Sequence, residues 1–152
     1  MKMLTSLSVL FLMSCGQASI VKEVEGIDAQ LQPIVDSFRS QAHTFGLGSG
    51  HSLYSVRFGE TGNPDFIGVC KLYWENSNQV RTIVIKHDID PELIPSTTAH
   101  ELGHCLYDLP DLYDEQYSGD LMFWQANSIP SSVELTELIE EALILRVQLQ
   151  TF

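Results

Sequence analysis

Basic residues are scarce in this chain. Lys and Arg together number 8 against 20 Asp and Glu in 152 residues, which gives a formal net charge of −12. Binding nucleic acid requires a basic surface to neutralise phosphates, and anionic lipid headgroups attract basic segments for the same reason. The composition therefore argues against a nucleic-acid partner and against electrostatic docking on a membrane surface.

Cysteine and long apolar runs are also scarce. Three cysteines are too few to build a disulfide-based scaffold, and no run approaches the roughly 20 apolar residues that span a bilayer. The hydrophobic fraction of 44% is nevertheless sufficient for a core, and the length fits one domain. We therefore expect a single globular domain, which we treat as a monomer.

The N-terminus has the pattern of a secretory signal, because one basic residue precedes a short apolar stretch. This stretch ends in Leu12-Met13-Ser14-Cys15-Gly16, which resembles a bacterial lipobox, in which the cysteine becomes the lipidated first residue. The resemblance implies a signal peptide over 1–14, an anchor and short linker over 15–26, and one domain over 27–152. Such a protein works at the bacterial cell envelope, tethered to the outer membrane or cell surface through lipid on Cys15. A plainly cleaved signal would instead make it secreted.

Hydrophobic periodicity divides the domain into helices and strands. The predicted elements are, in chain order, a helix over 27–45, strands over 52–58, 67–74 and 82–87, a helix over 96–107, a loop over 108–122 and a C-terminal helix. The polar residues 75–79 predict a hairpin turn between the second and third strands. Ser131 and Glu134 form a capping box for the last helix. This order predicts an α+β fold.

One motif carries chemistry. His100-Glu101-Leu102-Gly103-His104 matches the pattern H-E-x-x-H. Because residues four apart lie on one face of a helix, both imidazoles can reach one ion, and neutral imidazole nitrogens suit Zn²⁺. Glu101 lies one step round the helix, where its carboxylate can take the proton of a zinc-bound water. The motif therefore predicts a zinc-dependent hydrolase with Glu101 as the general base.

The stretch from His100 to Met122 resembles the small metzincin metallopeptidases, in particular the snapalysin-like secreted bacterial proteases. Their pattern H-E-x-x-H-x-x-G-x-x-D ends in Leu-Pro-Asp-x-Tyr, which Leu109-Pro110-Asp111-Leu112-Tyr113 matches. Ser118-Gly119-Asp120-Leu121-Met122 is similar to the Met-turn that follows in that family. The resemblance implies a zincin-like domain with an N-terminal helix, a mixed sheet of at least three strands, an active-site helix, a Met-turn loop and a C-terminal helix.

The resemblance also implies roles for individual residues. They are the zinc ligands His100, His104 and Asp111, the general base Glu101, the oxyanion-stabilising Tyr113 and the apolar Met-turn residue Met122. The implied activity is that of an endopeptidase, whose partner is a peptide or protein substrate. The strand over 68–74 would be the exposed edge that pairs with that substrate.

The sequence departs from the family pattern at one place. Tyr107-Asp108 stands where the family has a single glycine, and the segment is one residue longer. That glycine lets the chain leave the helix through a left-handed conformation, which Asp tolerates better than most residues. We therefore expect Asp108 to make the turn and Asp111 to be the third ligand, with Asp108 as the alternative ligand.

Two other functions are compatible with the sequence. A gluzincin would take its third ligand from the C-terminal helix, where Glu134, Glu137, Glu140 and Glu141 are available. A non-catalytic envelope lipoprotein would bind metal or a partner without hydrolysing it. Zinc content and a protein-digestion assay separate these alternatives.

The remaining cysteines form an even pair outside the cytoplasm, where disulfides persist. Cys70 lies on a predicted strand and Cys105 on the helix that should pack over the sheet. A disulfide between them is geometrically compatible with this arrangement. Two buried free thiols are the alternative.

Overall fold

The computed structural model describes residues 26–75, 77–114, 120–122 and 135–150. The predictions for the signal peptide, for Cys15, for Ser118 and Gly119 of the Met-turn, and for the capping residues Ser131 and Glu134 lie outside the described residues.

Four strands form one mixed sheet. They are β1 (Gly26–Ile27), β2 (Ser55–Gly59), β3 (Gly68–Glu75) and β4 (Asn78–Lys86), in the spatial order β1-β2-β4-β3. The β1–β2 and β2–β4 pairs are parallel, whereas β3 runs antiparallel to β4. Within the described residues, β3 is therefore an edge strand.

Three helices complete the domain: α1 (Gln32–Thr44), α2 (Ile94–Tyr107) and α3 (Leu135–Gln150). Each helix packs against the other two, and α2 also packs against β3 and β4. The prediction of an α+β domain with a mixed sheet is confirmed. None of the helices in the described parts of the chain is both long and apolar enough to cross a bilayer.

The first helix begins later than the predicted residue 27. Gly26 and Ile27 pair with β2 instead, and the carbonyl of Asp28 accepts hydrogen bonds from the N–H groups of Leu31 and Gln32. Pro33 then lies in the first turn of α1, where its missing N–H costs nothing. The prediction was wrong here because Ile27 fits the helical spacing of apolar residues. In the structure it pairs instead with Val56, 29 positions along the chain, and is therefore a strand residue.

The hairpin between β3 and β4 is tighter than predicted. Strand pairing continues out to Glu75 and Asn78, and Ser77 in the turn has a φ of 68°. The polar residues at this end of the hairpin are exposed. Their side chains can therefore stay in water while their main chains pair. β4 consequently starts at residue 78, not at 82.

The core lies between the sheet and the helices. Its fully buried members include Val35 and Phe38 of α1, Val56, Ile83 and Ile85 of the sheet, Leu102 and Leu106 of α2, and Ile139 and Leu143 of α3. The face of α2 that carries Leu102 and Leu106 packs into this core, as the sequence predicts. The opposite face of α2 carries His100 and His104, which line a cleft.

Candidate metal centre

The helix α2 begins and ends at residues suited to those positions. Pro95 lies in its first turn, and Asp108 ends it with φ 53° and ψ 35°. This left-handed residue brings the N–H of Leu109 to the carbonyl of Gly103 at 3.2 Å, a bond that satisfies a carbonyl left open at the helix end. The prediction that Asp108 makes the turn in place of glycine is confirmed. The chain then returns toward the histidines.

Main-chain carbonyls hold both imidazole rings. The Nδ1 atom of His100 lies 2.7 Å from the carbonyl of Leu121, and that of His104 lies 2.6 Å from the carbonyl of Leu109. A carbonyl only accepts, so both Nδ1 atoms donate. This arrangement directs both Nε2 atoms to the same point and is the usual way in which a metal-binding histidine is oriented.

Three ligand atoms converge at that point. The two Nε2 atoms are 2.9 Å apart, and Asp111 Oδ1 lies 3.3 Å from that of His100 and 3.2 Å from that of His104. Ligands placed tetrahedrally at 2.0–2.1 Å from an ion are about 3.3 Å from one another. Among the described residues, His100, His104 and Asp111 are the group able to hold a metal ion, and two imidazoles with one carboxylate suit zinc. The residues fit the implied cofactor.

The pKa values of all three candidate ligands are shifted by their surroundings. Burial alone would lower the pKa of His100, but its hydrogen bond with Asp111 and the negative charge of Glu101 hold that pKa above the usual value. Burial and the neighbouring His100 lower the pKa of His104. The hydrogen bond from His100 keeps the pKa of Asp111 below its usual value despite partial burial. The carboxylates of Glu101 and Asp111 therefore favour positive charge at His100, whereas His104 favours the neutral form.

Glu101 lies beside this group without belonging to it. It is buried, and burial raises the pKa of its carboxyl to about 7, against the opposing effects of His100 and of the nearby Cys70 main chain. The charge of Asp111 adds to the increase. A carboxyl with a pKa near neutrality can both accept and release a proton under ordinary conditions.

Met122 packs directly against the helix between the two histidines. It is 1% exposed, and a Cβ placed on Gly103 would lie 2.6 Å from its Sδ and 3.2 Å from Leu109 Cδ1. The preceding residue, Leu121, supplies the carbonyl that orients His100. The absence of a side chain at Gly103 therefore lets the 120–122 segment approach the metal centre.

We expect Gly103→Ala to destabilise the protein by up to about 2 kcal/mol. Alanine favours a helix over glycine by about 1 kcal/mol, but overpacking a filled core typically costs about 1–3 kcal/mol. The displaced Met122 should also weaken zinc binding through the carbonyl of Leu121. Thermal unfolding and zinc titration measure the two effects.

Gly48→Ala is the matched control, because nothing lies within 4 Å of a Cβ at Gly48. Its stability and zinc affinity should stay near those of the wild type. A Gly103→Ala protein that is as stable as the wild type and binds zinc equally well would contradict this packing.

Asp108 is engaged elsewhere. Its Oδ1 accepts a hydrogen bond from Arg81 Nη1 at 2.7 Å, and its Oδ2 lies 2.6 Å from His51 Nε2. Burial would raise the pKa of Asp108, but these two partners lower it below the usual value. The buried Arg81 guanidinium also donates to the carbonyl of Cys105 at 2.8 Å. Asp108 therefore anchors the end of α2, and the structure places Asp111 at the histidines.

The hydroxyl of Tyr113 is hydrogen-bonded to a candidate metal ligand. Its side chain is 71% exposed, and its hydroxyl donates to Asp111 Oδ2 at 3.4 Å. In this arrangement Tyr113 contacts the second oxygen of the candidate ligand. Its assignment as a stabiliser of the oxyanion stays a prediction.

The metal centre opens into a cleft of about 510 Å³. One wall is formed by α2 and the residues that follow it, and the other by residues 65–70 and Leu72. Lys86 N–H donates to the carbonyl of Ile67, so Gly68 and Ile85 form a non-hydrogen-bonded pair. Every second residue from there has its main-chain groups directed away from β4, and these residues are Gly68, Cys70, Leu72 and Trp74. The cleft thus has a strand edge along one side.

A disulfide joins the two walls of the cleft. It links Cys70 of β3 to Cys105 of α2, with a Cα–Cα distance of 5.6 Å. The structure therefore contains the disulfide that the predicted strand and helix allowed. Cys105 faces the sheet, not the metal centre.

Sequence reasoning missed the groups that support the site. No sequence motif marks Arg81, His51 or Gly68. The carbonyls of Leu109 and Leu121 could not be predicted either, because every residue has a main-chain carbonyl. The structure brings His100, His104 and Asp111 together, with Glu101 and Met122 beside them, and the roles implied by the resemblance stay predictions. No protein-family model, no curated protein and no solved structure matches this chain.

Proposed function

We propose that this protein is a zinc-dependent endopeptidase of the metzincin type. The observation that carries the proposal is the convergence of His100 Nε2, His104 Nε2 and Asp111 Oδ1, beside a buried carboxyl group, in a cleft bordered by a strand edge. When bound, zinc supplies a Lewis acid that polarises a peptide carbonyl and lowers the pKa of a coordinated water.

The chain's own contribution to chemistry is proton transfer by Glu101. Its carboxylate takes a proton from the attacking water and gives it to the leaving amine, which a single group with a pKa near neutrality can do. His100 and His104 are oriented in advance by carbonyls, so neither ring has to turn toward the candidate metal position.

Substrate binding is assigned to β3. An extended peptide can pair with the outward main-chain groups of Gly68, Leu72 and Trp74 on this edge strand, as in strand addition to a sheet. Pairing through the main chain gives affinity with little demand on sequence, so we propose a peptide or protein substrate. Leu72 and Trp74, which are 54% and 73% exposed, present apolar side chains along the same strand.

Two features support the metzincin type over the gluzincin alternative. Met122 packs against Gly103 beneath the histidines, and the group able to hold a metal ion contains Asp111 but no glutamate from the described part of α3. We also propose that the protein acts as a monomer.

Metal removal tests the proposed function directly. Dialysis against a chelator should reduce hydrolysis of casein or gelatin to background, because the remaining groups cannot polarise the peptide carbonyl. Addition of one equivalent of zinc should restore the activity, and elemental analysis should find about one zinc per chain. Full activity in protein shown to be free of metal would rule out the proposal.

We further propose that Cys15 carries the lipid anchor. The full-length protein expressed in bacteria should partition into the detergent phase, with acyl chains on Cys15 detected by mass spectrometry. Cys15→Ser should remain unprocessed or appear in the soluble fraction. A soluble wild-type protein with an N-terminus beyond Cys15 would contradict lipidation.

A further inference from the structure

Cys70 meets α2 in two ways. Its Sγ forms the disulfide with Cys105, and its N–H is directed away from β4, toward the cleft that Glu101 also lines. Glu101 and Cys105 are four residues apart and so lie on the same face of the helix, one turn from each other. One residue of β3 is therefore bonded covalently to the candidate metal-binding helix and also directs an N–H group toward the side of the candidate general base.

The strand and the helix are in close contact at this place. A Cβ on Gly68 would lie 2.7 Å from Thr97 Cγ2 and 3.0 Å from Glu101 Oε1. Only a residue without a side chain allows this approach. Glu101 is thus enclosed between its own helix and the segment from Gly68 to Cys70.

The disulfide adds a covalent link at this contact. As an edge strand, β3 is hydrogen-bonded to β4 on one side, while its other side faces the cleft. Non-covalent packing alone would let the strand move away from α2 by local opening, which is common at edges with few partners. A displacement of about 1 Å in a catalytic group can lower the rate by roughly 100-fold.

We propose that Cys70 and Cys105 are positioning residues for Glu101: their disulfide holds β3 at the distance where the Cys70 N–H fixes the carboxylate beside the metal centre. The proposal rests on the proposed peptidase function. It assigns to the bridge a role in catalysis beyond that of linking two parts of the fold.

The first experiment measures hydrolysis by the Cys70→Ala/Cys105→Ala double variant. We expect kcat to fall at least tenfold with little change in KM, while zinc content stays at the wild-type level. Gly68→Ala keeps the bridge but disturbs the same carboxylate, so it should show the same pattern. All assays are run at a temperature where thermal unfolding shows each variant to be folded.

Leu143→Ala is the matched control for lost stability. Leu143 is fully buried in α3, so its truncation weakens the fold without touching Glu101. This variant should retain kcat. If the double variant also retains kcat, or if its loss of activity follows the fraction of unfolded protein as in the control, the bridge is only structural.

The second experiment needs no activity. Amide hydrogen exchange at residue 70 is followed by NMR in the metal-free protein, in the wild type, Cys105→Ala and Glu101→Ala. We expect exchange at this amide to be at least tenfold faster in both variants. The amide of Val69, which is directed toward β4, should stay equally protected in all three.

These measurements separate the two proposals. An inactive wild-type protein would reject the peptidase function, while exchange at residue 70 would still decide whether the bridge holds Glu101. Unchanged exchange at residue 70 in Cys105→Ala would overturn the positioning role, even in a fully active enzyme. Two free thiols at Cys70 and Cys105 in the unreduced wild type would do the same.

Discussion

Glu101→Ala is expected to lower peptidase activity by about 10²–10⁴-fold, the range typical for removal of a general base. The variant should still bind zinc, since Glu101 does not belong to the convergent group of His100, His104 and Asp111. The fold should persist, because the change removes a buried carboxyl group whose desolvation is unfavourable. Hydrolysis of a fluorogenic peptide and zinc content, measured on the same preparation, test both parts.

Two variants make this result interpretable. Glu101→Gln keeps the shape of the side chain but cannot accept the proton, so it should be as inactive as the alanine variant. Glu92→Ala removes an exposed carboxylate just before α2 and should leave activity unchanged. Activity of Glu101→Ala within a few-fold of the wild type would exclude the mechanism.

Asp111→Ala is expected to lose zinc and activity together. Changes in groups that merely orient a metal ligand cost about 10–100-fold in affinity, so removal of a ligand should cost at least about 100-fold. The two histidines remain oriented by carbonyls, but two protein ligands are fewer than the three that catalytic zinc usually has. Zinc titration against a competing chelator provides the measurement.

Asp108→Gly is the control for this prediction. Glycine accepts the left-handed conformation of Asp108 without strain, so the chain should still return to the histidines. The variant should keep zinc and activity, although the buried Arg81 loses a partner and stability should fall by about 1 kcal/mol.

Other outcomes would identify another ligand. Loss of zinc in Asp108→Gly, with zinc retained in Asp111→Ala, would assign the metal to Asp108. Retention of zinc in both, with loss in Glu137→Ala or Glu140→Ala, would support the gluzincin alternative.

Local patterns predicted the parts of the molecule whose structure depends on near neighbours. The limits of α2 follow from Pro95 at its start and Asp108 at its end, and the structure places them within two residues of the prediction. The late start of α1 could not be predicted in the same way, since it depends on pairing between Ile27 and Val56. A pattern read along the chain contains no information about such a distant partner.

The choice between Asp108 and Asp111 shows the same limit within the site. Spacing alone left both carboxylates open, because they are three residues apart in one loop. The structure separates them through Arg81 and His51, which lie 27 and 57 positions away from Asp108. The carbonyls of Leu109 and Leu121 orient both histidines. They could not be predicted from residue type, because every residue has a carbonyl.

Those carbonyls have a thermodynamic consequence. Leu109 and Leu121 lie outside α2, so the two rings are oriented only when separate stretches of chain have folded against the helix. An unfolded chain lacks this arrangement, and zinc bound only to the native state would stabilise it by about 2.7 kcal/mol at a free concentration 100 times Kd. Metal and fold are therefore linked equilibria. Under the proposed function, a molecule that loses its zinc would become a better substrate for molecules that have kept theirs.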